Sequence, residues 1–120
     1  MFEQVIPILR IFDESKAREF YLDYLGFKID FEHRFDPNAP LYMGISRDGI
    51  TLHLSEHYGD GTPGTTIFVR MKRIRDYHAE LTAKNYKYYH PGVEDLGFGF
   101  DMMIIKDPFG NAIRFAEPIE

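Results

Sequence analysis

The feature that most constrains this chain is that it reads twice. Asp48-Gly49-Ile50-Thr51-Leu52-His53-Leu54-Ser55-Glu56 lies over Phe109-Gly110-Asn111-Ala112-Ile113-Arg114-Phe115-Ala116-Glu117 at a constant offset. Ile6-Pro7-Ile8-Leu9-Arg10-Ile11 lies over Thr66-Ile67-Phe68-Val69-Arg70-Met71 at nearly the same offset. Each match is short, but matching element types recur in the same order. An internal duplication of roughly sixty residues fits that pattern.

The elements follow from periodicity. Residues 4–11 read as a strand, with Pro7 placing it at an edge or a strand start. Asp13 stands as a helix N-cap. Ala17, Phe20, Tyr21, Tyr24 and Leu25 then fall on one apolar helical face, and Gly26 sits where a C-cap glycine belongs. Residues 27–35 alternate, with Phe27, Ile29 and Phe31 on one side of a half-buried strand. Asp36 to Pro40 is a loop, 41–46 a strand, Arg47-Asp48-Gly49 a hairpin turn and 50–56 a strand. The second round gives a strand over 65–71, a helix over 73–84 carrying Ile74, Tyr77 and Leu81 on one face, and a strand over 86–90. A Gly/Pro loop over 91–97, a strand over 98–106, a turn at Asp107 to Gly110 and a last strand over 111–117 complete it. The expected fold is α+β, two βαβββ repeats forming curved mixed sheets. The expected organisation is one domain over 1–120, with a first half 1–57, a linker 58–64 and a second half 65–120.

Composition narrows the function. A length of 120 residues fits one domain. With a net charge of -5 the chain lacks the basic surplus of a generic nucleic-acid binder, so no nucleic-acid partner is expected. There is no cysteine, which excludes disulfides, thiol catalysis and Cys-based zinc sites. No apolar run approaches a membrane span and the N-terminus lacks a basic, apolar leader pattern, so a cytoplasmic protein without a membrane partner is expected. No phosphate-cradling glycine loop, Gly-x-Ser-x-Gly motif or spaced acid–base pair stands out.

Two segments carry a resemblance. Phe20-Tyr21-Leu22-Asp23-Tyr24-Leu25-Gly26-Phe27 reads FYxxxLGF, and Asp107-Pro108-Phe109-Gly110-Asn111 reads DPxGN. Set in a duplicated frame, they make the whole chain resemble the glyoxalase/bleomycin-resistance (vicinal oxygen chelate) superfamily, and within it the bleomycin-resistance-like members. The resemblance implies that each half curls into a cup and that two halves form one site, within a chain or between chains. It also implies a homodimer. The superfamily's enzymes place four metal ligands, usually His or Glu, at positions that fall here on Ile6, His53, Thr66 and Arg114. Ile6 has no donor atom, Thr66 is a poor ligand, and Arg114 brings a permanent positive charge. His53 alone holds no metal, so no metal and no cofactor are expected.

Strand alternation then names the lining of each cup. Thr51, His53 and Ser55 share one face, with Leu52 and Leu54 on the other. The same parity turns Ile6, Ile8 and Arg10 inward, then Thr66, Phe68 and Arg70, then Ala112, Arg114 and Ala116. Alternatives stand open for the polar and aromatic members. His53 is a ligand contact or a hydrogen-bonded core histidine. Arg10 and Arg70 meet ligand or pair with carboxylates such as Glu56 and Glu117 at a dimer seam. Arg114 is a ligand contact or an ion-pair member, and Phe68 a stacking platform or a core residue. In the 90–99 loop Leu96-Gly97-Phe98 stands where the bleomycin-resistance subgroup tends to carry Trp-Gly, so Phe98 is a stacking candidate or part of a plain glycine-rich turn.

The resemblance and the lost ligands imply a non-metal small-molecule binder, more a binding protein than an enzyme. It would sequester a ligand such as a bleomycin-like glycopeptide antibiotic in a dimer groove. The expected ligand contacts are Arg10, Thr51, His53, Ser55, Phe68, Arg70, Phe98 and Arg114. Three arginines near the cup would repel a cationic drug. One rival is a metal-dependent lyase or dioxygenase with displaced donors at His53, Glu56, His57 and Glu117. The other is a binder of a small anionic metabolite, held by Arg10, Arg70 and Arg114.

Overall fold

The computed structural model describes residues 1–86 and 90–119. The elements run β1 (Ile8–Arg10), α1 (Glu14–Arg18) continuing as a π-helical segment (Glu19–Tyr24), β2 (Lys28–His33), β3 (Tyr42–Arg47) and β4 (Ile50–Ser55). They continue with β5 (Thr66–Arg70), α2 (Ile74–Lys84), β6 (Glu94–Asp95), β7 (Phe100–Lys106) and β8 (Ala112–Pro118). Two four-stranded sheets result, ordered β1-β4-β3-β2 and β5-β8-β7-β6. In each, one parallel pair joins an antiparallel run. The fold is α+β, with the doubled order that the sequence repeat implies.

The chain divides into two compact units, Met1–Thr65 with Pro108–Asn111, and Thr66–Asp107 with Ala112–Glu120. In the first, Leu9, Ile11, Leu52, Leu54, Met43 and Ile45 form one buried sheet face against Ala17, Phe20, Tyr21 and Leu25. In the second, Ile113, Phe115, Met103 and Ile105 are buried with Ile74, Tyr77 and Leu81 of α2. Alternation therefore puts the apolar half of each strand under the helix and leaves the other half for the open face.

Several local expectations are sharpened. Asp13 caps α1, accepting from the Lys16 N–H at 3.0 Å. The helix then widens, so that the Leu25 N–H reaches the Phe20 carbonyl at 2.9 Å rather than the α-helical partner. Phe20 meets Tyr21 edge-on at 4.9 Å and Tyr24 at 5.7 Å, and the wider turn accommodates three rings on one short helix. The Asp48-Gly49 turn has positive φ at both residues, 51° and 82°, as a two-residue hairpin of this twist requires. The first strand is shorter than 4–11, because only Ile8–Arg10 pair fully with β4. The 91–97 loop contains β6, paired to β7 through Glu94↔Met102 and Asp95↔Asp101. Most of the strand expected over 86–90 lies outside the described residues, and neither Tyr86 nor His90 is in a strand.

One strand corrects the parity read from sequence. Phe31 does not share a side with Phe27 and Ile29. The β2–β3 register runs Ile29↔Ile45 and then Phe31↔Gly44, so a bulge absorbs one residue. Phe27 is buried at 7% exposure, whereas Phe31 turns to the open face at 42%.

Candidate functional site

The open face of the first sheet is built in rows across the strands. One row is Phe31↔Gly44↔His53↔Ile8, the next His33↔Tyr42↔Ser55↔Arg10, and Thr51 stands level with Ser46. Gly44 makes room for a ring. A Cβ there would lie 2.3 Å from Phe31 Cε1, so only glycine lets the Phe31 ring lie across the strand. That ring stacks on Tyr42 at 6.2 Å and meets His53 edge-on at 5.3 Å. The Tyr42 hydroxyl lies 2.6 Å from His53 Nδ1. Burial first, and the Asp60 carboxylate second, push the Tyr42 hydroxyl above its usual pKa, so it keeps its proton beside Nδ1. His57 joins the group through Tyr42 at 6.5 Å and Phe35 at 6.0 Å.

Arg10 lies at the end of this face. Its guanidinium sits 4.8 Å from the Phe12 ring and 6.0 Å from that of Tyr58, and its Nε is buried without a hydrogen-bond partner. Glu56 is no partner for it. That carboxylate accepts from the Leu41 N–H at 3.0 Å and faces Arg34 at 4.0 Å. Ser55 shares the face but is fully buried, because it donates to Asp60 at 2.8 Å and accepts from the His57 N–H at 3.0 Å. It shapes the 57–60 turn.

The open face of the second sheet has the same register. Phe68 pairs with Arg114 as Ile8 pairs with His53. Its rows are Phe68↔Arg114↔Ile104, Thr66↔Ala112↔Lys106 and Arg70↔Ala116↔Met102↔Glu94. Phe68 is 48% exposed and meets Phe100 edge-on at 5.4 Å, while Arg70 lies 5.7 Å from the Phe100 ring. Phe68 is therefore an exposed ring rather than a core residue. Glu117 is turned to the other side and accepts from the Arg73 and Ile74 N–H groups at the start of α2, at 2.9 and 3.0 Å. Phe98 stands in its loop at 72% exposure, without a ring partner among the described residues.

The structure thus brings together Arg10, Thr51, His53 and Ser55 on one sheet and Phe68, Arg70 and Arg114 on the other. Sequence reasoning missed Phe31, Tyr42 and Phe100, and placed His57 only among displaced metal donors. The parity of β7 and the aromatic content of β3 were available as signals, but the β2 bulge was not.

The residues do not suit the metal that the superfamily's enzymes use. Two of the four inherited positions, Ile6 and Arg114, offer no donor, and Thr66 is a weak one. Among the described residues no group of three or more His, Asp or Glu side chains is placed to hold an ion. The displaced-donor reading loses Glu56 and Glu117 to the backbone N–H groups that they accept. Among the described residues no helix is long and apolar enough to cross a membrane.

Comparison with known proteins agrees with this architecture. No curated protein matches the chain by sequence. A bleomycin-binding protein solved in complex with bleomycin superposes with a TM-score of 0.73 at 21% identity, covering 97% of this chain and 98% of that one. The antibiotic-binding protein TnmS3 from Streptomyces sp. CB03234 gives 0.71 at 19% identity, with 98% of each chain covered. A bleomycin resistance determinant encoded on transposon Tn5 gives 0.69 at 21% identity, again over 98% of each. The family model described as "Glyoxalase superfamily protein" matches residues 1–120, and the chain accordingly belongs to the glyoxalase superfamily.

Proposed function

We propose that this chain binds and sequesters a small molecule with a flat ring system, without metal chemistry, in a groove that a second copy of the chain helps to close. The observation that carries the reading is the Phe31 ring. It is laid over Gly44, held against His53 and Tyr42, and left 42% exposed. A ring fixed in place yet open to solvent is what stacking on a planar ligand needs, because little side-chain freedom remains to be lost on binding. His53, fixed by Tyr42, adds a directed polar contact beside it. Solved proteins of this fold include a bleomycin-binding protein and an antibiotic-binding protein, which makes a glycopeptide antibiotic the first ligand to try.

The test is isothermal titration of the chelator-treated protein with metal-free bleomycin, with sedimentation run on the same sample. The expected result is a dimer binding near one ligand per subunit, with micromolar or tighter affinity. Phe31→Ala should weaken it about tenfold, the scale of one stacking contact together with its buried area. No heat and no thermal shift would remove bleomycin as the ligand. A strictly monomeric protein that still binds would remove the shared groove.

A further inference from the structure

The open face of the second sheet carries a charge opposite to that of the whole chain. The chain is -5 overall, yet Arg70, Arg114 and Lys106 all stand on this face. Row parity puts them beside Phe68 and Phe100, because partners in register point the same way. The one carboxylate in these rows is Glu94, at the far edge of the row that Arg70 begins. Three strand spacings separate the two, about 14 Å. Among the described residues none of the three cations forms an ion pair. The face therefore holds three unneutralised cations around one exposed ring, Phe68, and one half-buried ring, Phe100.

The geometry has a use. Arg70 lies over the Phe100 ring, and among the described residues no hydrogen bond or ion pair engages its N–H donors. Arg114 is one strand over and two residues back, about 8 Å away by strand spacing and rise. Phe68, level with Arg114, meets Phe100 edge-on. A planar ring set against the face of one phenylalanine and the edge of the other would have Arg70 and Arg114 as the neighbouring cations. We propose that this face selects planar aromatic acids, with the ring against Phe68 and Phe100 and the carboxylate taken by Arg70 and Arg114. The proposal rests on the small-molecule reading above but not on bleomycin, whose cationic character this face opposes.

A matched series of probes tests it: naphthalene-2-carboxylate, the neutral 2-naphthamide and the cationic 2-naphthylmethylammonium. Each is titrated into the full chain at low salt by calorimetry, with amide resonances followed by NMR and association state by sedimentation. The acid is expected to bind about tenfold tighter than the amide, with the ammonium weakest, the scale of one charge-assisted contact. Arg114→Gln and Arg70→Gln should each bring acid and amide toward equal affinity, Arg114→Lys should retain part of the preference, and Lys72→Gln should leave it unchanged. Raising salt should weaken the acid alone. Equal affinities for acid and amide would overturn the proposal while leaving small-molecule binding intact. A silent bleomycin titration beside a bound acid would remove bleomycin and leave both small-molecule binding and the proposal standing. Two further results would reassign the face: tighter binding of single-stranded oligothymidylate, to nucleic acid; or a change of association state in Arg114→Gln with unchanged acid affinity, to a second copy of the chain.

Discussion

At the scale of single residues, the first sheet depends on a glycine that sequence alone would pass over. Gly44 lies in the middle of β3 and is buried, where a glycine ordinarily weakens a strand. Its service is to Phe31, whose ring occupies the space that a Cβ would fill. Gly44→Ala should drive that ring off the strand. Because the ring is half exposed it can swing outward, so the stability loss should stay below about 1.5 kcal/mol, the upper scale of a ring–ring contact. The larger effect should fall on the site. The ring-current shift that Phe31 imposes on the His53 proton resonances should collapse, and ligand affinity should fall as far as in Phe31→Ala. Unchanged His53 resonances in the alanine variant would show that the ring is not held where the structure puts it.

At the scale of elements, α2 begins without a cap of its own. Arg73 precedes it at φ 61° with no side-chain capping bond, and Glu117 of β8 supplies the acceptor from across the sheet. The Ile74 and Arg73 N–H groups, in that order, hold the Glu117 carboxyl below its ordinary value of 4.5. The unfolded chain therefore takes up this proton first as pH falls, so the contribution is complete above about 4.5 and lost on acidification below it. Glu117→Gln should lower the melting temperature at pH 7, with the difference closing as pH drops progressively below 4.5. A pH-independent difference would mean that the carboxylate's charge plays no part. The sequence matched Glu117 to Glu56 in the repeat, but not the different use of each: Glu56 accepts from Leu41. Patterns carried by period were legible: the Asp13 cap, the Asp48-Gly49 turn, the buried halves of β4 and β8. What was not legible depended on register between strands. The β2 bulge that turns Phe31 outward leaves no mark in the alternation of Phe27, Ile29 and Phe31, because a bulge is defined by the partner strand. The widened turn after Arg18 was equally hidden, since Phe20, Tyr21 and Tyr24 suit an α-helical face as well as a π-helical one.

At the scale of the whole molecule, the duplication is kept in the backbone and dropped in the chemistry. Ile8↔His53 in one sheet and Phe68↔Arg114 in the other are the same register step, so both halves still present equivalent places. Arg10 and Arg70 still match, but the other places have diverged, to rings and a histidine on one sheet and to rings with Arg114 and Lys106 on the other. The sequence gives the reason metal chemistry does not follow from family membership, because Ile6 and Arg114 stand where ligands are expected. A measurement on the intact protein separates the inherited fold from inherited chemistry. An ion bound by the native state at one hundred times its dissociation constant would stabilise it by about 2.7 kcal/mol. Chelator-treated protein titrated with Zn²⁺, Ni²⁺ or Mn²⁺ is therefore expected to show no rise in melting temperature at any stoichiometric addition, and His53→Ala to respond no differently. A stabilisation of that size that disappears in His53→Ala would restore the metal reading, with His53 as a ligand. A stabilisation that survives the substitution would place the ion elsewhere on the chain and leave the open faces to their rings and arginines.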